Sequence, residues 1–285
     1  MARAHDYGDG LQQLTNRKML DALRQIFRAK PKPRLPAVPD GLRYYVIGDI
    51  HGRLDLYEAL IDAIEEDDAR GADGETEVIL LGDLVDRGPD SAGVIARTRA
   101  WQEQRTVRVL AGNHEEMFLE SFEKPDVLRH FLKHGGRETI MSYGISKKQF
   151  NAMTLDELFA KLPQIVPESE RDYISAFEDM IIAGDYLFVH AGIDPSLPIE
   201  AQKRSDMLWI RDRFLSHEGP LEKVVVHGHT IFESVMDCGN RIGIDTGAFR
   251  SGVLTALVLE ADQRRIVQAC DSDGQIEIFH GDRGR

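Results

Sequence analysis

Three short segments of this 285-residue chain bring together side chains able to hold metal ions: Gly48-Asp49-Ile50-His51-Gly52, Gly82-Asp83-Leu84-Val85-Asp86-Arg87-Gly88 and Gly112-Asn113-His114-Glu115. Carboxylate and amide oxygens mixed with imidazole nitrogens suit divalent Mn, Fe or Zn better than a soft-metal site. Two later segments, His190-Ala191-Gly192 and His227-Gly228-His229-Thr230, add imidazoles. A lone Gly-Asp is commonly just a turn, and a lone His at a strand end is commonly a half-exposed imidazole. Five such segments in one chain point to a shared site, and a carboxylate common to two ions would hold them close together.

The elements that must position them are legible in what precedes each segment. Tyr44-Tyr45-Val46-Ile47, Val78-Ile79-Leu80-Leu81 and Val107-Arg108-Val109-Leu110 are short, rich in β-branched or aromatic residues, and soon followed by Gly, as buried strands are. Helical patterns lie between them, Leu56/Leu60/Ile61/Ile64 and Ala92/Ile95/Ala96/Arg99, so the unit reads as βαβαβ with parallel strands. Ligands gather beyond the carboxyl ends of such strands, where Asp49, His51, Asp83 and Asn113 all fall. Residues 186–189 and 224–226 read as two more strands, running into His190 and His227/His229. Met180-Ile181-Ile182 and Tyr186-Leu187-Phe188, flanking Gly184-Asp185, read as a hairpin. Between the third strand and the strand leading to His190, residues 116–167 are mainly helical in pattern, broken at Gly135-Gly136 and Tyr143-Gly144, and would overhang the metals as a substrate-side insertion. The closing runs at 241–244, 253–259 and 276–279 suggest a second sheet. The expected fold is a mixed α/β (α+β) one: a β-sandwich of two sheets flanked by helices, with the metal site at one edge.

A hydrophobic share of 42% can build a substantial core. Two cysteines, Cys238 and Cys270, suggest no disulfide framework. With no membrane-length apolar run and no signal-peptide pattern, the expected location is cytoplasmic. The net charge of −13 argues against nucleic acid as a partner. Residues 1–40 differ: eight Lys/Arg against four Asp give +4, leaving −17 on the remainder. Within them Met19, Leu20, Leu23, Ile26 and Phe27 form a one-sided helical stripe ahead of the proline-rich stretch 31–36. The division expected is a basic amphipathic helix and linker over 1–40, packed on its own domain or docking to a partner, and a catalytic domain over 41–285.

Asp-x-His-Gly, Gly-Asp-x-x-Asp-Arg-Gly and Gly-Asn-His-Glu, followed by His-Ala and Gly-His, resemble the motifs of the calcineurin-like metallophosphoesterases, over about residues 43–260. The phosphoprotein phosphatase branch is the one resembled. Its bacterial and bacteriophage-lambda-type serine/threonine phosphatases have counterparts of 112–117, Leu208-Trp209-Ile210-Arg211 and Ile244-Asp245-Thr246-Gly247-Ala248. The resemblance implies two divalent ions, Mn above all: Asp49 and His51 on the first, Asp83 between them, and Asn113, His190 and His229 on the second. It implies direct attack on phosphorus by a metal-bridging hydroxide, with His114 as general acid, Asp86 orienting it, and Arg87, Arg211 and Asn113 gripping the phosphate. Arg213 competes with Arg211 for that role, and His227 is expected to be a neighbour only. Substrates would be phosphate monoesters in proteins, on serine or threonine first and tyrosine second, or small phosphoesters. A symmetrical bis(5'-nucleosyl)-tetraphosphatase shares the same metal motifs, but that family has Ala where this chain has Asp86 and Asp where it has Glu115. A non-catalytic metal-binding scaffold is disfavoured by the intact ligand set and His114.

Overall fold

Alternation along the strands builds this fold in layers, as a computed structural model that describes residues 34–71 and 74–282 shows. Strand β1 (Leu42–Ile47) points Tyr45 and Ile47 to one side and Tyr44 and Val46 to the other, and all four are buried. It pairs in parallel with β2 (Glu75–Leu80), and β2 pairs in parallel with β3 (Val107–Val109). Helices α1 (Leu54–Arg70) and α2 (Ser91–Gln102) make the crossovers. α1 buries Leu56, Leu60, Ile61 and Ile64, the stripe expected of it.

The insertion is a run of short helices: α3 (Asn113–Glu120), α4 (Pro125–Phe131), a π-helical turn (Leu132–Gly136), α5 (Arg137–Ser142), α6 (Lys147–Asn151), α7 (Leu155–Ile165) and α8 (Glu168–Ser175). Ser146 and Thr154 start α6 and α7 with capping boxes. The helical region therefore runs past residue 167 to Ser175.

A second sheet has the order β4-β5-β6-β8-β7, from β4 (Met180–Ala183), β5 (Tyr186–Val189), β6 (Val224–His227), β7 (Met236–Asp237) and β8 (Arg241–Gly243). The expected hairpin is β4–β5, turning on Gly184-Asp185. Helices α9 (Arg204–Trp209) and α10 (Asp212–Leu215) lie between β5 and β6, and α11 (Ala248–Ser251) follows β8.

The expectation for the closing runs needs correction. Only residues 241–243 enter the second sheet. β9 (Val253–Glu260), β10 (Gln263–Ser272) and β11 (Gln275–Asp282) extend the first sheet antiparallel, in the order β11-β10-β9-β1-β2-β3. β9 is buried over nearly its whole length and gains hydrogen-bonded neighbours on both sides, β1 and β10. Its apolar run marks a buried strand without saying which sheet takes it.

Three apolar layers result. Tyr44, Val46, Ile79, Leu81 and Leu257 of the first sheet pack against Tyr186, Phe188, Val226, Ile242 and Ile244 of the second, filling the sandwich. The opposite face of the first sheet packs on α1, α2 and the insertion helices. Leu187, Val189 and Val225 pack on Met207, Ile210 and Phe214 outside the second sheet. The described residues from Pro36 onward form one compact unit, and the expected helix with its stripe from Met19 to Phe27 lies outside the described residues. No described helix is long and apolar enough to cross a membrane.

Candidate metal centre

Where β1, β2, β3, β5 and β6 end, the backbone is bent tightly to aim side chains at one point. Of seven non-glycine residues with positive φ among the described residues, five are here: His51, Asp83, Asp86, Arg87 and His229. Such conformations cost on the order of 1–3 kcal/mol each and persist only where surroundings enforce them. The enforcement is visible. Ile50 and His51 donate N–H bonds to the Asp83 carbonyl at 3.1 and 2.8 Å, and Gly52 donates to Leu84 at 2.9 Å, stitching the first two loops together. Glu115, buried in the first turn of α3, accepts four backbone N–H groups: Asp83 and Gly112 at 2.8 Å on Oε2, and Leu84 at 2.8 Å and Val85 at 3.2 Å on Oε1. A Cβ at Gly112 or Gly228 would collide with the carboxylates of Asp83 and Asp49 respectively.

The side chains converge on Asp83. Donor atoms of His51, Asp83 and His114 lie within 4.8 Å of one another, as do those of Asp83, His190 and His229. His51 Nδ1–H donates to the Val85 carbonyl at 2.7 Å, and His190 Nδ1–H to the Leu81 carbonyl at 2.8 Å. Both neutral imidazoles therefore turn an Nε2 lone pair into the centre, that of His51 facing the Arg87 guanidinium at 2.6 Å. His190 Nε2 faces the amide oxygen of Asn113 at 3.0 Å, and both are then acceptors. His229 Nδ1 lies 2.8 Å from that same oxygen, while its Nε2 is buried without a partner. Converging lone pairs and an orphaned buried nitrogen call for a cation, and this mixed oxygen and nitrogen set fits divalent Mn, Fe or Zn.

His114 takes a different part. Its backbone N–H donates to Asp83 Oδ1 at 3.0 Å, its Nδ1 meets Asp86 Oδ2 at 2.6 Å, and its Nε2 lies 3.9 Å from Asp83 Oδ2. Asp86, fully buried, is held in turn by Thr139, whose hydroxyl donates to Oδ1 at 2.6 Å and accepts the Asp86 N–H at 2.8 Å. The Arg87 guanidinium reaches His51 Nε2 at 2.6 Å and His114 Nε2 at 2.8 Å and stacks over Phe249, 4.6 Å from the ring centroid. Its backbone N–H bonds the Gly135 carbonyl at 3.1 Å.

Charge follows this geometry. Burial alone would raise the Asp83 carboxyl, but His190, His114, His51 and His229 around it hold it far below the usual range. Burial lowers His114, yet Asp83 and Asp86 outweigh it and raise its imidazole above the ordinary value. Burial pushes Asp49 well up, helped by Asp245 and Asp83. Burial likewise keeps His51 and His190 below the ordinary imidazole value.

The structure thus gathers Asp83, Asn113, His190, His229, His51, His114, Asp86 and Arg87 into one centre. Asp49 is buried beside it, accepting the His229 backbone N–H at 3.0 Å on Oδ2. Arg213 is engaged elsewhere, 3.0 Å from Asp194 and 2.7 Å from Asp206. Arg211 is exposed, but its charge bears on both His190 and His229. His227 turns away, between Phe214 and Phe232. Three participants escaped sequence reasoning. Asp245 bonds the Asp49 carboxyl and is pushed up to about 6, chiefly by burial. Its Asp-Thr-Gly segment was visible, but its partner lies almost two hundred residues away. Thr139 had no signal, and Glu115 had only its place after Asn113-His114.

A family model described as calcineurin-like phosphoesterase matches residues 42–249. Serine/threonine-protein phosphatase 2 of Escherichia coli K12 is 30% identical over 219 residues, covering 74% of this chain and 90% of that protein. An asymmetrical bis(5'-nucleosyl)-tetraphosphatase of Oceanobacillus iheyensis is 25% identical over 233 residues, covering 74% of this chain and 86% of its own length. Among solved structures, the cold-active protein-tyrosine phosphatase of a psychrophilic Shewanella superposes with a TM-score of 0.50 at 19% identity, over 88% of each chain.

Proposed function

From membership of the calcineurin-like phosphoesterase family, to which this chain belongs, we propose a phosphoprotein phosphatase that hydrolyses phosphate monoesters on serine and threonine. That it is a metal-dependent phosphoester hydrolase follows from the family and from relatives that are phosphatases; the choice of substrate and the role of each residue are what we add. Asp49 and His51 would hold one divalent ion, Asn113, His190 and His229 a second, and Asp83 would serve both. Manganese is the first candidate. Such a pair, when bound, lowers the pKa of attacking water and neutralises charge on the phosphoryl oxygens.

The chain's own residues do the rest. Arg87 and Arg211 bind non-bridging oxygens, since a planar guanidinium matches phosphate in two-pronged geometry, and Asn113 lies beside them. His114 protonates the leaving alkoxide from Nε2, while Asp86 fixes its ring by taking the Nδ1–H. The observation that carries this reading is the His114–Asp86 contact of 2.6 Å, anchored through Thr139 and set beside Asp83. A serine or threonine alkoxide is a poor leaving group and needs such an acid.

The second reading, a bis(5'-nucleosyl)-tetraphosphatase, is favoured by the Oceanobacillus relative. Assay of the purified protein with manganese on a phosphoserine and phosphothreonine peptide panel, beside diadenosine tetraphosphate, decides between them. The peptides should be the better substrates. A kcat/KM for diadenosine tetraphosphate at least tenfold above every peptide would replace the first reading with the second.

A further inference from the structure

Each oxygen of the buried Asp86 carboxylate has one hydrogen-bond partner among the described residues: His114 Nδ1 on Oδ2 and the Thr139 hydroxyl on Oδ1, both at 2.6 Å. The second partner comes from α5 of the insertion, 53 residues along the chain. The hydrogens around it can be assigned from what each group is able to donate. Thr139 has one hydroxyl hydrogen and a carboxylate has none, so that hydrogen goes to Oδ1. Thr139 Oγ1 also accepts the Asp86 N–H at 2.8 Å and stands 3.0 Å from Ser91 Oγ, at the start of α2. Its own hydrogen is already committed, so Ser91 donates across that contact. Ser91 Oγ in turn accepts the Asp86 N–H at 3.0 Å. A directed chain results, Ser91 to Thr139 to Asp86, and it meets the His114 Nδ1–H from the other side. All three side chains are fully buried. The insertion grips the next residue as well, through the Gly135 carbonyl on the Arg87 N–H at 3.1 Å. Asp86 and Arg87 stand at φ of +75° and +70°, a region that non-glycine residues keep only under restraint.

We propose that Thr139 is the positioning residue through which the insertion sets the general acid: its hydroxyl fixes the Asp86 carboxylate in the orientation that takes the His114 Nδ1–H, which leaves His114 Nε2 turned toward Asp83. This rests on the reading of His114 as the acid. Thr139 acts only through Asp86. Packing alone would not ask for a hydroxyl, since valine has the same branched shape. Valine would leave Oδ1 of a buried carboxylate with no donor, whereas the Asp86 N–H would keep Ser91 as its acceptor. The backbone therefore retains a restraint when the side chain loses one. Partners that orient a working side chain are commonly worth about 10- to 100-fold, below the roughly 10²- to 10⁴-fold of the acid itself.

The test compares a phosphoserine peptide with nitrophenyl phosphate, assayed with manganese, on the wild type, Thr139→Val, Thr139→Ser, His114→Asn and the Thr139→Val/His114→Asn double variant. In Thr139→Val, kcat on the peptide should fall about 10- to 100-fold with KM and metal content unchanged. Nitrophenyl phosphate should lose less than about threefold, because its leaving group needs little acid. Thr139→Ser keeps the hydroxyl and should stay within about threefold of wild type on both substrates. A packing role gives the opposite order, since serine opens a methyl-sized void that valine fills. Added to His114→Asn, Thr139→Val should cost nothing more, as expected of two residues acting through one step. Ser91→Ala probes the chain from its far end with Thr139 untouched, and its smaller loss should again fall on the peptide. Equal losses on both substrates in Thr139→Val overturn the proposal, as does a serine variant slower than the valine one or a further loss on top of His114→Asn. Equal losses in Ser91→Ala overturn it even where the valine variant is too unstable to assay. If His114→Asn itself slows both substrates alike, the general-acid reading falls and takes this one with it. If His114→Asn discriminates between them and Thr139→Val does not, the role of Thr139 falls alone.

Discussion

Replacing Glu115 by Gln would test whether one buried carboxylate holds the metal-bearing loops in their strained conformations. In the native protein Oε2 and Oε1 each accept two backbone N–H groups, at 2.8 to 3.2 Å. Glutamine keeps one acceptor oxygen and turns an NH2 toward the other two donors, so two buried N–H groups lose their partner. At about 1–3 kcal/mol for each buried group left unsatisfied, the gross cost is about 2–6 kcal/mol. One effect opposes it. Burial, with the charge of Asp83 behind it, pushes the Glu115 carboxyl up to about 7, and a neutral amide escapes that desolvation and repulsion. The net destabilisation should therefore lie near the lower end, at about 2 kcal/mol, a sizeable part of a stability of the order of 5–15 kcal/mol. Urea unfolding of the metal-free protein would read it as a lower midpoint with an unchanged slope. With metal present, affinity should fall as well, because the Val85 carbonyl that orients His51 and the carboxylate of Asp83 are carried by the loop Glu115 secures. A Gln variant within about 0.5 kcal/mol of wild type, with full metal content, would show that the four bonds do not hold the loop.

Asp83→Asn should release both ions, whereas His229→Asn should lose one; elemental analysis of dialysed protein reads this directly, and full wild-type activity at one ion per chain would refute the shared role. Asp86→Asn should slow alkyl monoesters by about 10²-fold or more while sparing nitrophenyl phosphate, which needs little acid catalysis. Its pH profile supplies a second readout. Asp83 and Asp86 raise His114 against burial, so the acid form persists to higher pH in wild type, and removing one of the two charges should move the alkaline fall in kcat to lower pH. A fall at the same pH in both proteins would deny Asp86 that part.

The βαβαβ unit was readable because three apolar runs are each followed closely by glycine and then by ligand-type residues, a local pattern needing no distant information. The imidazoles of His190 and His229 were readable for the same reason. What stayed hidden depends on partners far along the chain. β10 opens with Gln263-Arg264-Arg265, a polar start that masks a strand whose neighbour is β9. Val253–Glu260 announces a strand, but its place beside β1 rests on pairings such as Tyr45 with Val258. Asp245 stands in a recognisable Asp-Thr-Gly segment, but nothing local tells that the fold puts it against Asp49. Trp209 stands in the Leu208-Trp209-Ile210-Arg211 segment, but nothing in it tells that its indole reaches Glu116.

The contacts between the helical insertion and the loop after β2 bear on how such a protein could be rebuilt. Gly135 supplies the carbonyl for the Arg87 N–H, at a φ of +107° and so close that a Cβ there would strike the Arg87 backbone. Thr139 supplies the hydroxyl for Asp86, and the Ser142 hydroxyl accepts the N–H of Ala92 at 3.0 Å. The segment is therefore not an interchangeable cassette. A chimaera that grafts a relative's recognition helices between α3 and β4 must keep a glycine, a threonine and a serine at these spacings, or it inherits new helices above a loop whose Asp86 no longer holds the His114 ring.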